Sequence, residues 1–240
     1  MAFGQENRWS VRGAATAPQV GIDVGLREYM LRIYNYMASG LALTGIVAYV
    51  AAASGFYYQI AHSPLIYLVM LAPLGMVMFL SFRINQMSFS AAQTTFWIYA
   101  ALMGLSLGGI FLVYTGASIA RVFFISAGAF GAMSLYGYTT KTDLSRFGSF
   151  LIMGLIGIVI ASLVNIFVGS SAIQFAVSVI GVIVFVGLTA WDTQRLKELY
   201  VESYGPEVAG KTAIMGALTL YLDFINLFLL LLQFMGNRRD

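Results

Sequence analysis

The residues of this 240-residue chain that could do chemistry are few, and three of them carry charge where charge is costly: Asp223, Asp192 and Arg83. Asp223 lies near the middle of Ala213–Met235, AIMGALTLYLDFINLFLLLLQFM. That run can cross a bilayer, since a spanning helix needs about 20 mostly apolar residues. A carboxylate at that depth costs roughly 2.5–3.5 kcal/mol, so it requires a compensating partner or a use. Asp192 closes the preceding apolar run in the string LTAWDTQR, and Arg83 closes a much earlier one. Each has a plain reading. Asp223 could accept hydrogen bonds from neighbouring helices and only fix packing. Asp192 could be a helix-end charge paired with Arg195, three residues on. Arg83 could snorkel to the headgroups. The two aspartates are, however, the only acids in or bordering the expected spans, and they sit on consecutive antiparallel helices, which tend to be neighbours. Two carboxylates brought together cannot both remain ionised cheaply, so their approach would make a proton-sensitive pair. Arg83, at a similar depth to Asp192, could latch the mouth of such a site.

The helices must position these groups. In the last run Thr212, Gly216, Thr219, Asp223, Asn226, Leu230 and Gln233 recur at steps of three or four, so they share one face. That spacing predicts a small, polar stripe turned away from lipid, with Thr219 and Asn226 supporting Asp223.

Composition sets the class. The chain is 60% hydrophobic and 10% charged, whereas a soluble domain is about 25% charged. It is an integral membrane protein. The absence of cysteine excludes disulfides and thiolate metal sites, and the single histidine, His62, excludes a His-rich zinc site. No cofactor and no tightly bound metal are expected. A net charge of +3 is too small and too scattered for a nucleic-acid partner; the partner is the lipid bilayer. The spans hold no lysine for a retinal Schiff base, and the chain has neither a P-loop nor a dinucleotide-binding glycine pattern. Aspartates on the last two spans suggest an intramembrane aspartyl protease, but the Gly-x-Gly-Asp and Pro-Ala-Leu strings are missing. The chain is read as not an enzyme.

Charges divide the sequence into spans. Residues 1–28 are polar and read as a flexible cytoplasmic tail; residues 29–240 form the membrane domain. Spans are predicted at Ile33–Ala53, Pro64–Phe82, Ala91–Tyr114, Ile119–Tyr138, Ser149–Val168, Ala172–Trp191 and Ala213–Met235. The fold class is thus an all-α bundle of seven transmembrane helices. Gly104-x-x-x-Gly108 in the third span marks a close helix approach. Thr193–Lys211 is a charged, partly helical connection broken at Gly205-Pro206. With the N-terminus cytoplasmic, Arg8, Arg12, Arg27, Arg32, Arg83, Lys141, Arg146, Arg195, Lys197 and Lys211 fall inside, and Arg121, Arg238 and Arg239 of the 13 basic residues fall outside. A seventh run that dipped in and returned would place the terminal arginines inside, but its length favours a full crossing.

Long strings carry a resemblance: GLSLGGIFLVYTGASIARVFF at Gly104–Phe124, SLYGYTTKTDLSRFG at Ser134–Gly148, GLIGIVIASLVNIF at Gly154–Phe167, AWDTQRLKELY at Ala190–Tyr200 and GALTLYLDFINLFLLLL at Gly216–Leu232. In these the chain resembles the Bax inhibitor-1 family (transmembrane Bax inhibitor motif proteins), in its bacterial branch. The resemblance implies a seven-helix fold with the last helix central and six around it, a pH-dependent calcium leak, Asp192 and Asp223 as the proton-sensing pair, and Arg83 as their latch. A further acid along the family's second-helix pathway has no counterpart in Pro64–Phe82. Two aspartates and a few amides are too few for tight calcium, which takes six to eight oxygens, but suit transient passage. The expected function is therefore a pH-sensitive calcium or cation leak channel of the bacterial inner membrane. The alternative is a non-conducting regulatory membrane protein of the stress or cell-death-suppressor type that binds a membrane protease or another complex.

Overall fold

The computed structural model describes residues 24–201 and 205–239. The stretch 1–23, the bulk of the expected tail, lies outside the described residues. The chain is helical from Val24, so 24–28, assigned above to the tail, form the first turn of a helix instead. The helices are α1 (Val24–Ala53), α2 (Phe56–Ala61), α3 (Leu65–Arg83), α4 (Phe89–Leu107), α5 (Ile110–Val113), α6 (Gly116–Thr139), α7 (Ser145–Val168), α8 (Ser171–Glu198) and α9 (Pro206–Met235). Seven candidate spans are long and apolar enough to cross a membrane; α5 continues the third, Phe89–Val113, and α2 is a short piece between the first two.

Local chemistry sets the ends. Ser88, Thr115 and Ser170 cap α4, α6 and α8, each accepting the backbone N–H three residues on. Pro206 opens α9 in the first turn, where its missing N–H costs nothing. Gly169 ends α7 at φ 65°, the left-handed conformation that glycine adopts freely. Two boundaries differ from expectation. α8 continues for two further turns beyond Trp191, and α9 begins at Pro206, so most of Thr193–Lys211 is helix. The charges Arg195 and Lys197 had marked that stretch as connection, but at a helix C-terminus they complement the dipole.

The arrangement follows from which faces are small. Hydrocarbon is as apolar as leucine, so helix association in a membrane relies on close packing and interhelical hydrogen bonds. α9 is central: 72% of its most apolar window is buried, against 11% for α3 and 6% for α7. α1, α4, α6 and α8 pack directly on α9, while α3 packs on α4 and α7 on α8 in an outer layer. The expected ring of six is thus an inner four with two outer helices. Gly104 brings α4 onto α1 so closely that a Cβ there would lie 2.5 Å from the Thr44 carbonyl oxygen. The α9 crossing is complete, and the segment after it does not return. Asn237 O accepts from Thr115 N at 3.1 Å, Arg239 N donates to Val113 O at 2.9 Å and Asn237 N donates to Ser118 Oγ at 2.8 Å. These bonds tie the C-terminal segment to the α5–α6 corner.

Candidate ion and proton site between two helices

The carboxyls of Asp192 on α8 and Asp223 on α9 face one another within hydrogen-bonding reach. Register explains the contact. Gly181 lies against Leu230, Gly216 against Leu196, and Ser178 Oγ donates to Gln233 Oε1 at 3.4 Å. In this antiparallel register Asp192 stands about one helical turn, ~5.4 Å, nearer the α8–α9 connection than Asp223. Every Cα–Cβ bond tilts toward its own helix N-terminus. α8 and α9 run in opposite directions, so the two side chains lean toward each other and close that gap.

Both aspartates are 6% exposed. Asp223 Oδ2 is buried without a hydrogen-bond partner. An ionised carboxylate only accepts hydrogen bonds, so a bond between these two groups holds a proton on one of them. The wall beside Asp192 is built from α6. Gly137 has no side chain, and the Ala190 backbone lies where its Cβ would be. Ser134 Oγ pairs with Thr193 Oγ1 at 3.0 Å and with Tyr34 Oη of α1 at 2.5 Å. Gln194, also buried, donates from Nε2 to Thr142 O at 2.8 Å and accepts from Leu144 N at 2.8 Å. Its amide therefore clips the α6–α7 connection to α8, two residues from Asp192. On the far side of α9, Tyr221 Oη pairs with Thr44 Oγ1 at 2.7 Å, and Thr44 Oγ1 donates to Ala100 O at 2.8 Å, joining α9, α1 and α4.

The other expected site residues are placed differently. Arg83 is exposed and donates to Gln86 Oε1 at 2.9 Å; the ion pair found among the described residues is Lys211–Glu207, at 3.9 Å. The expected latch from Arg83 to Asp192 is not made in this structure, because the α3 C-terminus turns into a 3-10 segment that offers Gln86 as a nearer partner. Arg195 sits over the Trp191 ring at 5.5 Å and makes no ion pair with Asp192, although its charge still acts on that carboxyl. The expected polar stripe of α9 is split. Gly216, Asp223 and Leu230 are buried, whereas Thr219 and Asn226 lie on a half-buried edge. Thr219 Oγ1 donates to Met215 O at 3.1 Å and Asn226 Nδ2 to Leu222 O at 2.8 Å. Both satisfy themselves on their own helix, so neither supports the carboxyl pair. Sequence reasoning missed Gln194 and Ser134. The signal for Gln194 was a polar residue one position past Thr193, in a stretch read as a charged, partly helical connection.

Six spans around a buried seventh that shares a carboxyl pair with its neighbour define a multi-pass α-helical membrane protein. Residues 26–240 match the family model described as inhibitor of apoptosis-promoting Bax1. The chain belongs to the Bax inhibitor-1 family. It is 52% identical to the inner membrane protein YbhL of Escherichia coli (strain K12), across 90% of this chain and 94% of that one. It is 51% identical to protein RP147 of Rickettsia prowazekii, across 94% of this chain and 96% of that one. A membrane protein of Streptococcus pyogenes serotype M3, SpyM3_0260, is 36% identical across 90% of this chain and 95% of that one.

Proposed function

We propose that the protein is a pH-sensitive leak for calcium or a similar cation in the bacterial inner membrane, with its N-terminus cytoplasmic and Asp192 and Asp223 as the gate. The observation that carries the reading is the contact of two buried carboxyls with one oxygen, Asp223 Oδ2, left unpartnered. Ionisable groups within a span are costly and serve ion or proton pathways by default. With one proton shared the pair joins α8 to α9. With both groups ionised they repel, by about 4 kcal/mol at ~4 Å and an effective dielectric constant of ~20. Loss of the proton drives the helices apart at this point and leaves carboxylate oxygens as a weak cation way-station. The inner-membrane assignment is supported by the relative YbhL, an inner membrane protein by name.

The test is calcium flux from liposomes containing the purified protein, measured across pH, for the wild type and for Asp192→Asn and Asp223→Asn. An asparagine keeps the shape and removes the titration, so each variant is expected to lose the pH response. Unchanged flux with an unchanged pH response in Asp223→Asn overturns the proposal. The sealing of both carboxyls at 6% exposure also supports a second reading, a non-conducting regulatory protein that binds a membrane protease or another complex. No calcium flux at any pH from correctly inserted protein selects that reading.

A further inference from the structure

α1 and α6 both pack on α9 but scarcely on each other. Between them a groove of about 950 Å³ opens sideways, lined among others by Arg27, Met37, Gly131, Ser134, Leu135 and Tyr138. Its wall is mostly apolar, and Leu135 and Gly131 on it are exposed. The stretch of α1 from Arg27 to Met37 rises about 15 Å at ~1.5 Å per residue, half of the ~30 Å hydrocarbon core. The groove is therefore one leaflet deep. Its charge lies at one end. Arg27 is the charged residue on its lining, while the neighbouring acid Glu28 faces a separate hollow with Arg32 and Asn35. Lys197 stands at the same rim, its Nζ 5.8 Å from the centre of the Tyr138 ring and donating to Tyr138 O at 2.9 Å.

We infer that this groove is a binding site for an anionic glycerophospholipid, with an acyl chain along α1 and α6 and the headgroup phosphate between Arg27 and Lys197. An apolar channel that opens to the bilayer core selects a lipid chain, and its depth matches a single leaflet. Arg27 on the lining and Lys197 at its rim, with no acid among the described lining residues, select a negative headgroup, at about 1 kcal/mol per basic residue near the surface. The floor of the groove is Ser134, which bonds Tyr34 and Thr193, so a bound chain lies one residue away from the carboxyl pair through Thr193. The inference does not rest on the leak proposal, and a non-conducting protein would carry the same site.

Glycine positions provide the test. A Cβ at Gly131 meets nothing within 4 Å, and neither does one at Gly128; Gly131 lines the groove and Gly128 does not. The full-length protein is reconstituted in phosphatidylcholine vesicles with a photoactivatable phosphatidylglycerol, and cross-links are mapped by peptide mass spectrometry. Wild type and Gly128→Phe are expected to label on α1 and α6, and unlabelled phosphatidylglycerol is expected to compete better than phosphatidylcholine. Gly131→Phe is expected to lose this labelling, and Arg27→Gln to weaken it about fivefold, the scale of one basic residue at an anionic surface. Labelling of α1 and α6 that is unchanged in Gly131→Phe, or equal competition by phosphatidylcholine, overturns the assignment. Circular dichroism of both phenylalanine variants confirms that a loss of labelling is not a loss of fold.

Discussion

Replacing Gln194 by alanine tests how the carboxyl site is held. Gln194 is 5% exposed and its amide is used at both ends, donating to Thr142 O and accepting from Leu144 N, each at 2.8 Å. Thr142 lies in an exposed connection, so water can replace the lost donor at its carbonyl. Leu144 is 8% exposed, and its N–H would be left buried without an acceptor. A net hydrogen bond is worth about 1 kcal/mol, and an orphaned buried donor costs about 1–3 kcal/mol. Together these give a loss of about 2–4 kcal/mol. Local opening of the α7 N-terminus then becomes about 30–700 times more frequent, since every 1.4 kcal/mol is tenfold. Hydrogen exchange of the purified protein, followed on peptides covering 142–148, reads this directly. Gln194→Glu keeps an acceptor for Leu144 N but sets a carboxylate oxygen against Thr142 O in a buried site, so it too should exchange faster than wild type. If Gln194→Ala exchanges at the wild-type rate in this segment, Gln194 is not the clip described here.

Other substitutions bear on the same frame. Gly137→Leu should be among the most damaging single changes, because the Ala190 backbone occupies the space of the new side chain. It should separate α6 from α8, and overpacking of this kind costs roughly 1–3 kcal/mol or more, read as a lower Tm in detergent. Tyr221→Phe removes one interhelical hydrogen bond while Thr44 keeps its bond to Ala100 O. Its cost should be close to the ~0.6 kcal/mol average for such bonds in membranes, and a loss several times larger would refute that division of labour. Asp143 lies outside the spans and accepts a 2.8 Å bond from Ser145 N at the start of α7. That bond, then the nearby Arg146, holds its carboxyl below the usual range. A depressed folded value means that its contribution is present above the unfolded carboxylate range and is lost as the pH falls through the folded value. Amide protection at Ser145 should therefore drop at the acid end in the wild type and be absent at every pH in Asp143→Ala.

The class and the helix count were legible because a bilayer demands long apolar runs, and charge interrupts them. Asp223 and Asp192 stood out for the same reason. What the sequence hid was rotation and register. A step of three or four placed Thr219, Asp223 and Asn226 on one face, yet a face of a helix surrounded by four others spans several neighbours. About 60° around the helix, the three-residue step from Asp223 to Asn226, separates a carboxyl buried against α8 from an amide bonded to its own backbone. The one-turn offset between the two aspartates is likewise set by where Gly181 and Gly216 admit Leu230 and Leu196. Arg83 was misplaced because similar depth does not imply contact: α3 lies in the outer layer, against α4.

The polar ties divide the bundle along a seam, and the carboxyl pair lies on it. On one side α6, α7 and α8 are joined by Ser134–Thr193, by Lys197 to Tyr138 O, and by Gln194 to the α6–α7 connection. On the other, α1, α4 and α9 are joined through Thr44, Tyr221 and Ala100, and Lys211 of α9 donates to Met87 O ahead of α4. Among the described residues the side-chain bonds across the seam are Tyr34–Ser134, Ser178–Gln233 and Asn237 N to Ser118 Oγ, besides the aspartates themselves. A displacement confined to α8 would have to break four hydrogen bonds to α6 and the α6–α7 connection, and the backbone contact at Gly137. A displacement of one half against the other spares these and breaks the cross-seam bonds, those of the C-terminal segment included. Under the proposed function, separating the carboxyls would shift the two groups of helices against one another. The groove between α1 and α6 lies on that same seam, so a lipid held in it would bear on the same displacement.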